Sequence, residues 1–154
     1  MIQMISKCKI CVLALMLSIC CTVQAQLSNL SMRKVFEKNK NIELVSESEV
    51  QGDQLRKYHL SKFHKVKLKV DDKMMAQVES WLAADETKAT EKEVFRDLKH
   101  TTYAFFSYKR KDAETAFLLF QYQAKGEEHY FVCFYMEGNT SIKDIKQTFG
   151  ISKK

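Results

Sequence analysis

"TTYAFFSYK" (101–109), "TAFLLFQYQ" (115–123) and "HYFVCFYME" (129–137) decide the fold. Each is dense in aromatic and aliphatic side chains, and only "RKDAE" and "AKGEE" stand between them. β-rich runs this close, joined by short polar loops, read as an antiparallel meander. Both side-chain parities are apolar. Tyr103 and Phe105 alternate with Phe106 and Tyr108, and Phe131, Cys133 and Tyr135 alternate with Tyr130, Val132, Phe134 and Met136. A sheet covered on one face alternates apolar with polar residues, so something covers the second face here. Helices or the N-terminal segment are one account. The other is an exposed aromatic platform, with Tyr103, Phe105 and Tyr135 as its contact residues, since tyrosine joins a large apolar ring to a polar tip.

Downstream of the meander, Gly138-Asn139-Thr140 breaks the strand. Ser141 with Asp144 then opens a helix whose apolar face is Ile142, Ile145 and Phe149, and Gly150 ends it. Upstream, Ser28 to Asn39 reads as a first helix, because Met32, Val35 and Phe36 fall on one stripe. Gly52-Asp53 suits a two-residue hairpin loop. That register sets Gln51 against Gln54, Glu49 against Arg56, Val45 against Leu60 and Glu43 against Lys62. Val66, Leu68 and Val70 alternate with Lys65, Lys67 and Lys69, as on a half-buried strand with a charge-guarded edge. Asp71-Asp72 opens a helix with Met75, Val78, Trp81 and Leu82 on its apolar face, and 84–89 reads as a connection. Thr90 to Glu93 matches a capping box for a short third helix carrying Val94, Phe95 and Leu98. The expected fold is α+β, a single antiparallel sheet of hairpin plus C-terminal meander with helices packed on one face.

The first 25 residues have the layout of a secretory leader: Lys7 and Lys9, an apolar run from Ile10 to Val23, then Val23-Gln24-Ala25 before a cut at Gln26. The run of 14 residues reaches roughly 21 Å as a helix, short of a ~30 Å hydrocarbon core, so no permanent span is expected. Lipidation at Cys20 or Cys21 is the alternative, although bulky Ile19 precedes Cys20. Removing 25 of 154 residues leaves a 129-residue single domain with 23 basic against 19 acidic residues, since two of the 25 basic residues go. Only Cys133 of the five cysteines remains, so no intramolecular disulfide forms and the core alone must carry stability.

No catalytic residue, cofactor or metal is assigned from sequence. His59, His64, His100 and His129 have no ligand spacing. His129 stands roughly 13 Å along a strand from Cys133, too far to activate its thiol. Glu47 and Glu49 share a strand face about 7 Å apart, which alternating surface charge explains as well as glycosidase chemistry does. No phosphate loop, nucleophile elbow or zinc-protease motif occurs.

The stretch "FYMEGNTSIKDIKQTFG" (134–150), with "LSMRKVFEKNKNIELV" (30–45) before it, resembles small exported domains of unknown function from Bacteroidetes. The resemblance implies a protein of a Gram-negative envelope and carries over no active-site residue. The reading is an exported, non-catalytic binding module that uses an aromatic sheet face. The alternative is a periplasmic ligand carrier or enzyme with a pocket between sheet and helices. The partner expected is another protein or a second copy of the chain, with a polysaccharide less favoured. Nucleic acid is disfavoured because the leader routes the chain away from it. The intact mass of the protein recovered from a Gram-negative envelope is expected to begin at Gln26. A mass beginning at Cys20 or Cys21 with acyl chains contradicts that cut.

Overall fold

The computed structural model describes residues 27–111 and 113–151. The leader, the cut after Ala25 and both candidate lipidation cysteines lie outside the described residues. The fold is α+β, as expected. Six antiparallel strands, β1 (Glu43–Gln51), β2 (Leu60–Val70), β3 (Glu91–Arg96), β4 (Thr101–Tyr108), β5 (Thr115–Lys125) and β6 (Glu128–Gly138), form one open sheet in the order β1-β2-β6-β5-β4-β3. Two helices, α1 (Asp72–Glu86) and α2 (Ile142–Phe149), and two 3₁₀ turns, Ser31–Val35 and Asp53–Tyr58, pack on it.

The three aromatic runs become β4, β5 and β6. Lys125 pairs with Glu128, so Gly126 and Glu127 make a two-residue hairpin loop, and Gly126 supplies the positive φ of 61° such a loop requires. The caps of both helices are those the sequence indicates. The Asp71 carboxylate accepts from the Met74 amide at 2.7 Å, Ser141 Oγ accepts from the Asp144 amide at 3.1 Å, and Gly150 closes α2 in the left-handed region.

Both sheet faces are covered, not one. The first face carries Val66, Leu68, Phe106, Leu118, Phe120, Phe131 and Tyr135, under α1 and the segment Leu30 to Val35. The second carries Phe105, Phe117, Leu119 and Met136, under Leu55 of the second 3₁₀ turn and Ile142 and Ile145 of α2. Burying one such side chain stabilises the fold by ~1.5–3 kcal/mol, so neither layer is dispensable.

Five local expectations are corrected. The first helix shrinks to the 3₁₀ turn Ser31–Val35, because the fully buried Asp85 carboxylate takes the amides of Ser31 (2.7 Å) and Met32 (2.8 Å) that a longer helix would have to satisfy itself. Burial pushes this carboxyl above its ordinary range, while the Met32 and Ser31 amides and the Lys88 ammonium pull it back. Asp85 belongs to α1, which runs into the stretch read as a connection. The hairpin at Gly52-Asp53 is not a two-residue loop. Asp53–Tyr58 forms the second 3₁₀ turn, and the register moves so that Gln51 faces Lys62, Glu49 faces His64 and Glu43 faces Lys69. Burying Leu55 selects this arrangement, since a tight loop would leave Leu55 on an exposed edge.

The third helix is strand β3. Val94 packs toward the first face while Phe95 lies against Tyr103 at 5.7 Å, a period of two rather than 3.6. The open edge of β4 captures the segment, and the amide of Thr90 begins the ladder by donating to the Ser107 carbonyl at 2.7 Å. Strand β2 is not an edge, for β1 and β6 flank it. Lys65, Lys67 and Lys69 stand on its second-face side, opposite Val66, Leu68 and Val70.

Replacing Asp85 with alanine leaves two amides without their acceptor. Asp85→Ala is expected to cost about 2 kcal/mol or more in a denaturant titration and to open residues 27–36 to proteolysis. An unchanged midpoint contradicts this clamp.

Candidate binding surface

Strand register lets the second face be read in rows. The row Val50, Phe63, Met136, Phe117, Ser107 lies under the second 3₁₀ turn and α2, as do the next row's Leu119 and Phe105. Beyond them the composition changes on three neighbouring strands together. On β2, Phe63 gives way to Lys65, Lys67 and Lys69. On β5, Leu119 gives way to Gln121, Gln123 and Lys125. On β6, Met136 and Phe134 give way to Val132, Tyr130 and Glu128. An eight-residue helix is ~12 Å long, whereas these strands of 11 residues extend ~36 Å, so α2 cannot reach the far rows.

From the end of α2 outward, the face is an aromatic floor with cations over it. Phe63 lies 5.9 Å from Phe134 and 6.0 Å, stacked, from Phe149, which in turn lies 5.5 Å from Tyr58. Lys65 Nζ stands 5.5 Å from the centre of the Phe134 ring. Lys67, Lys69 and Lys125 stand 5.8, 6.0 and 5.6 Å from that of Tyr130. Lys69 bridges to Glu128 at 2.6 Å, and the Tyr130 hydroxyl donates to the same carboxylate at 2.7 Å. The hydrogen bond that Lys69 donates to Glu128 holds the ammonium above its ordinary range and the carboxyl below its own. Where this floor meets the end of α2 it deepens into a groove of about 650 Å³, lined by Phe63, Lys65, Gln121, Gln123, Phe134 and Phe149.

The three residues singled out from sequence do not share a surface. Tyr103 and Phe105 lie buried on the second face; the Tyr103 hydroxyl reaches Glu93 at 3.4 Å and Phe105 packs on Phe117 at 6.3 Å. Tyr135 lies on the first face, fully buried, its hydroxyl donating to Glu137 at 2.6 Å. Phe105 is in row with Leu119 and Phe134, and Tyr135 with Leu118 and Phe106. Parity within one strand is legible in sequence, but which parity of β6 matches which of β4 depends on two ladder registers. The residues missed, Phe63, Tyr130 and Phe134, carried one usable signal, the run of alternate lysines on β2.

A second cleft of about 650 Å³ lies against the opposite face, lined among others by Arg33, Phe36, Glu49, His64 and Glu137. Its reactive groups are engaged with one another. His64 Nε2 is 2.6 Å from Glu47 under the Phe36 ring, Glu137 takes the Tyr135 hydroxyl and Arg110 at 3.7 Å, and Ser61 donates to Glu114. His129 is held between Tyr122, at 2.6 Å, and Asp72. Among the described residues, no three His, Cys, Asp or Glu converge to hold a metal ion, and no helix is long and apolar enough to cross a membrane.

Fold and surface define a small α+β domain built on a half-covered antiparallel sheet. The chain belongs to a family of unknown function (DUF6108), matched over residues 17–149. No curated protein and no solved structure matches it.

Cys133 is fully buried, and burial pushes its thiol far above the ordinary range. In the native protein Cys133 is therefore expected to resist iodoacetamide at neutral pH, read by peptide mass, and to be alkylated once denatured. Rapid alkylation of Cys133 in the folded protein contradicts that environment.

Proposed function

We propose that this protein is an exported, non-catalytic binding module of the bacterial envelope, and that its contact surface is the uncovered half of the second sheet face. One observation carries the reading: four lysines on two strands stand over the Phe134 ring at the end of α2 and the Tyr130 ring beyond it. Aromatic rings rimmed by long cationic chains suit contact surfaces, because the rings lose little rotamer freedom on binding and the lysines supply charge that can be redirected. The leader-like N-terminus supports the compartment. The surface replaces the aromatic platform expected at Tyr103, Phe105 and Tyr135 with one on neighbouring strands.

A photo-crosslinking residue tests it directly. Placed in cells at Gln123, beside the groove, it is expected to give discrete adducts. The same residue at Gln77, exposed on α1 over the opposite face, gives none. Adducts from both positions alike, or none from Gln123, contradict the assignment.

A further inference from the structure

We infer that the uncovered half-sheet is an oxyanion-binding surface and that its occupant is an acidic polysaccharide, a sugar chain carrying carboxylate, sulfate or phosphate groups. The inference rests on the reading of this half-sheet as the contact surface and names what it contacts.

Charge crowding comes first. Lys67 and Lys69 on β2 and Lys125 on β5 all lie within 6.0 Å of the centre of one ring, that of Tyr130 on the strand between them. Among the described residues, Lys69 has a carboxylate within 4.0 Å, that of Glu128, and Lys65, Lys67 and Lys125 have none. Ammonium groups gathered in this way repel one another, and the negative face of the ring offsets only part of that. An oxyanion placed among them relieves the repulsion and gains charge-assisted hydrogen bonds.

The cations also repeat. Lys65, Lys67 and Lys69 occupy alternate positions of one strand, so their stems rise about 7 Å apart in a line. A ligand with a single charge engages one end of this line, whereas a chain with a charge on successive units engages all of it.

The shape selects among polyanions. Helix α2 stands on the same face, and a helix with its side chains is ~10 Å thick, so a flat bilayer resting on α2 is held off the lysine row. A narrow chain enters the recess and continues into the groove of about 650 Å³. Peptides that pair with sheets add to an edge strand. The edges here are β1 and β3, each broken by a register shift, between Leu44 and Ser46 and between Phe95 and Arg96. The lysine row instead stands on the face of interior strands. Its floor offers the half-buried rings of Phe63 and Phe134 beside the amides of Gln121 and Gln123. Ring and amide together match a pyranose, which has an apolar face and a hydroxylated rim.

Lysine acetylation followed by mass spectrometry tests the proposal on the exported protein. The probes are dextran sulfate, polygalacturonate, neutral dextran, polyglutamate and phosphatidylglycerol vesicles. Either acidic polysaccharide is expected to slow acetylation of Lys65, Lys67 and Lys125 by about tenfold, leave Lys73 and Lys143 on the helices unchanged, and lose its effect at high salt, while neutral dextran does nothing. Lys67→Glu, a change at a half-buried position outside the core, weakens acidic-polysaccharide binding about tenfold, and Lys67→Arg retains it. Protection by polyglutamate or vesicles alone overturns the sugar assignment and leaves the contact surface standing. Protection spread over all lysines, or none with any probe, also overturns it. Crosslinking from Gln123 then shows separately whether the surface falls as well.

Discussion

A β-strand with apolar side chains on both faces cannot leave either face to water, and three consecutive strands of this chain are of that kind. Everything else in the fold follows from covering both. The chain divides the work. The N-terminal segment and α1 cover one face, and a 3₁₀ turn with the short helix α2 covers the other. The two layers are unequal in length. Where the shorter one stops, the strands stop being apolar on that side, and Lys, Gln and Tyr replace Phe, Leu and Met on β2, β5 and β6 at the same rows. The uncovered half-sheet is thus built into three strands at once, which a single solvent-facing strand would not require.

The first layer is held by a different device. Residues 31–35 are too short a helix to stand alone, and a carboxylate from the last turns of α1 fixes them by their amides. Lys88, just beyond that helix, also reaches back to the carbonyl of Asn29 at 2.7 Å. Covering the first face therefore depends on residues 31–35 being held from the end of α1. The open sheet meanwhile has two edges that could recruit other strands. Charged residues and a register shift on each of β1 and β3 discourage such pairing. That leaves a face, not an edge, as the region suited to contact.

Much of this was legible in the residues. The meander, both helix caps, the Gly150 stop and the need to cover two faces follow from local pattern and composition. What escaped has a common cause, in that each case was settled by a partner distant in sequence. Thr90 to Arg96 carries a helix-start signal, but the unpaired edge of β4 outweighs it. Met32, Val35 and Phe36 have helical spacing, but Asp85, more than 50 residues on, satisfies the amides first. The β1–β2 register is set by Leu55 seeking the core rather than by Gly52. The candidate surface escaped in the same way: an aromatic face was expected at Tyr103, Phe105 and Tyr135, but all three are buried and Tyr135 lies on the opposite side of the sheet, a relation carried by ladders that no single strand contains.

The central claim is that the half-sheet beyond α2 is where this domain meets its partner. Amide chemical-shift mapping of ¹⁵N-labelled protein spanning residues 26–154, titrated with dextran sulfate and polygalacturonate, addresses this most directly. The account predicts perturbations concentrated at residues 65–69, 121–125 and 130–134, with α1 and the His64 cleft unmoved. Perturbations centred on residues 33–37, 47–49 and 64 would contradict it and move the site to the opposite face.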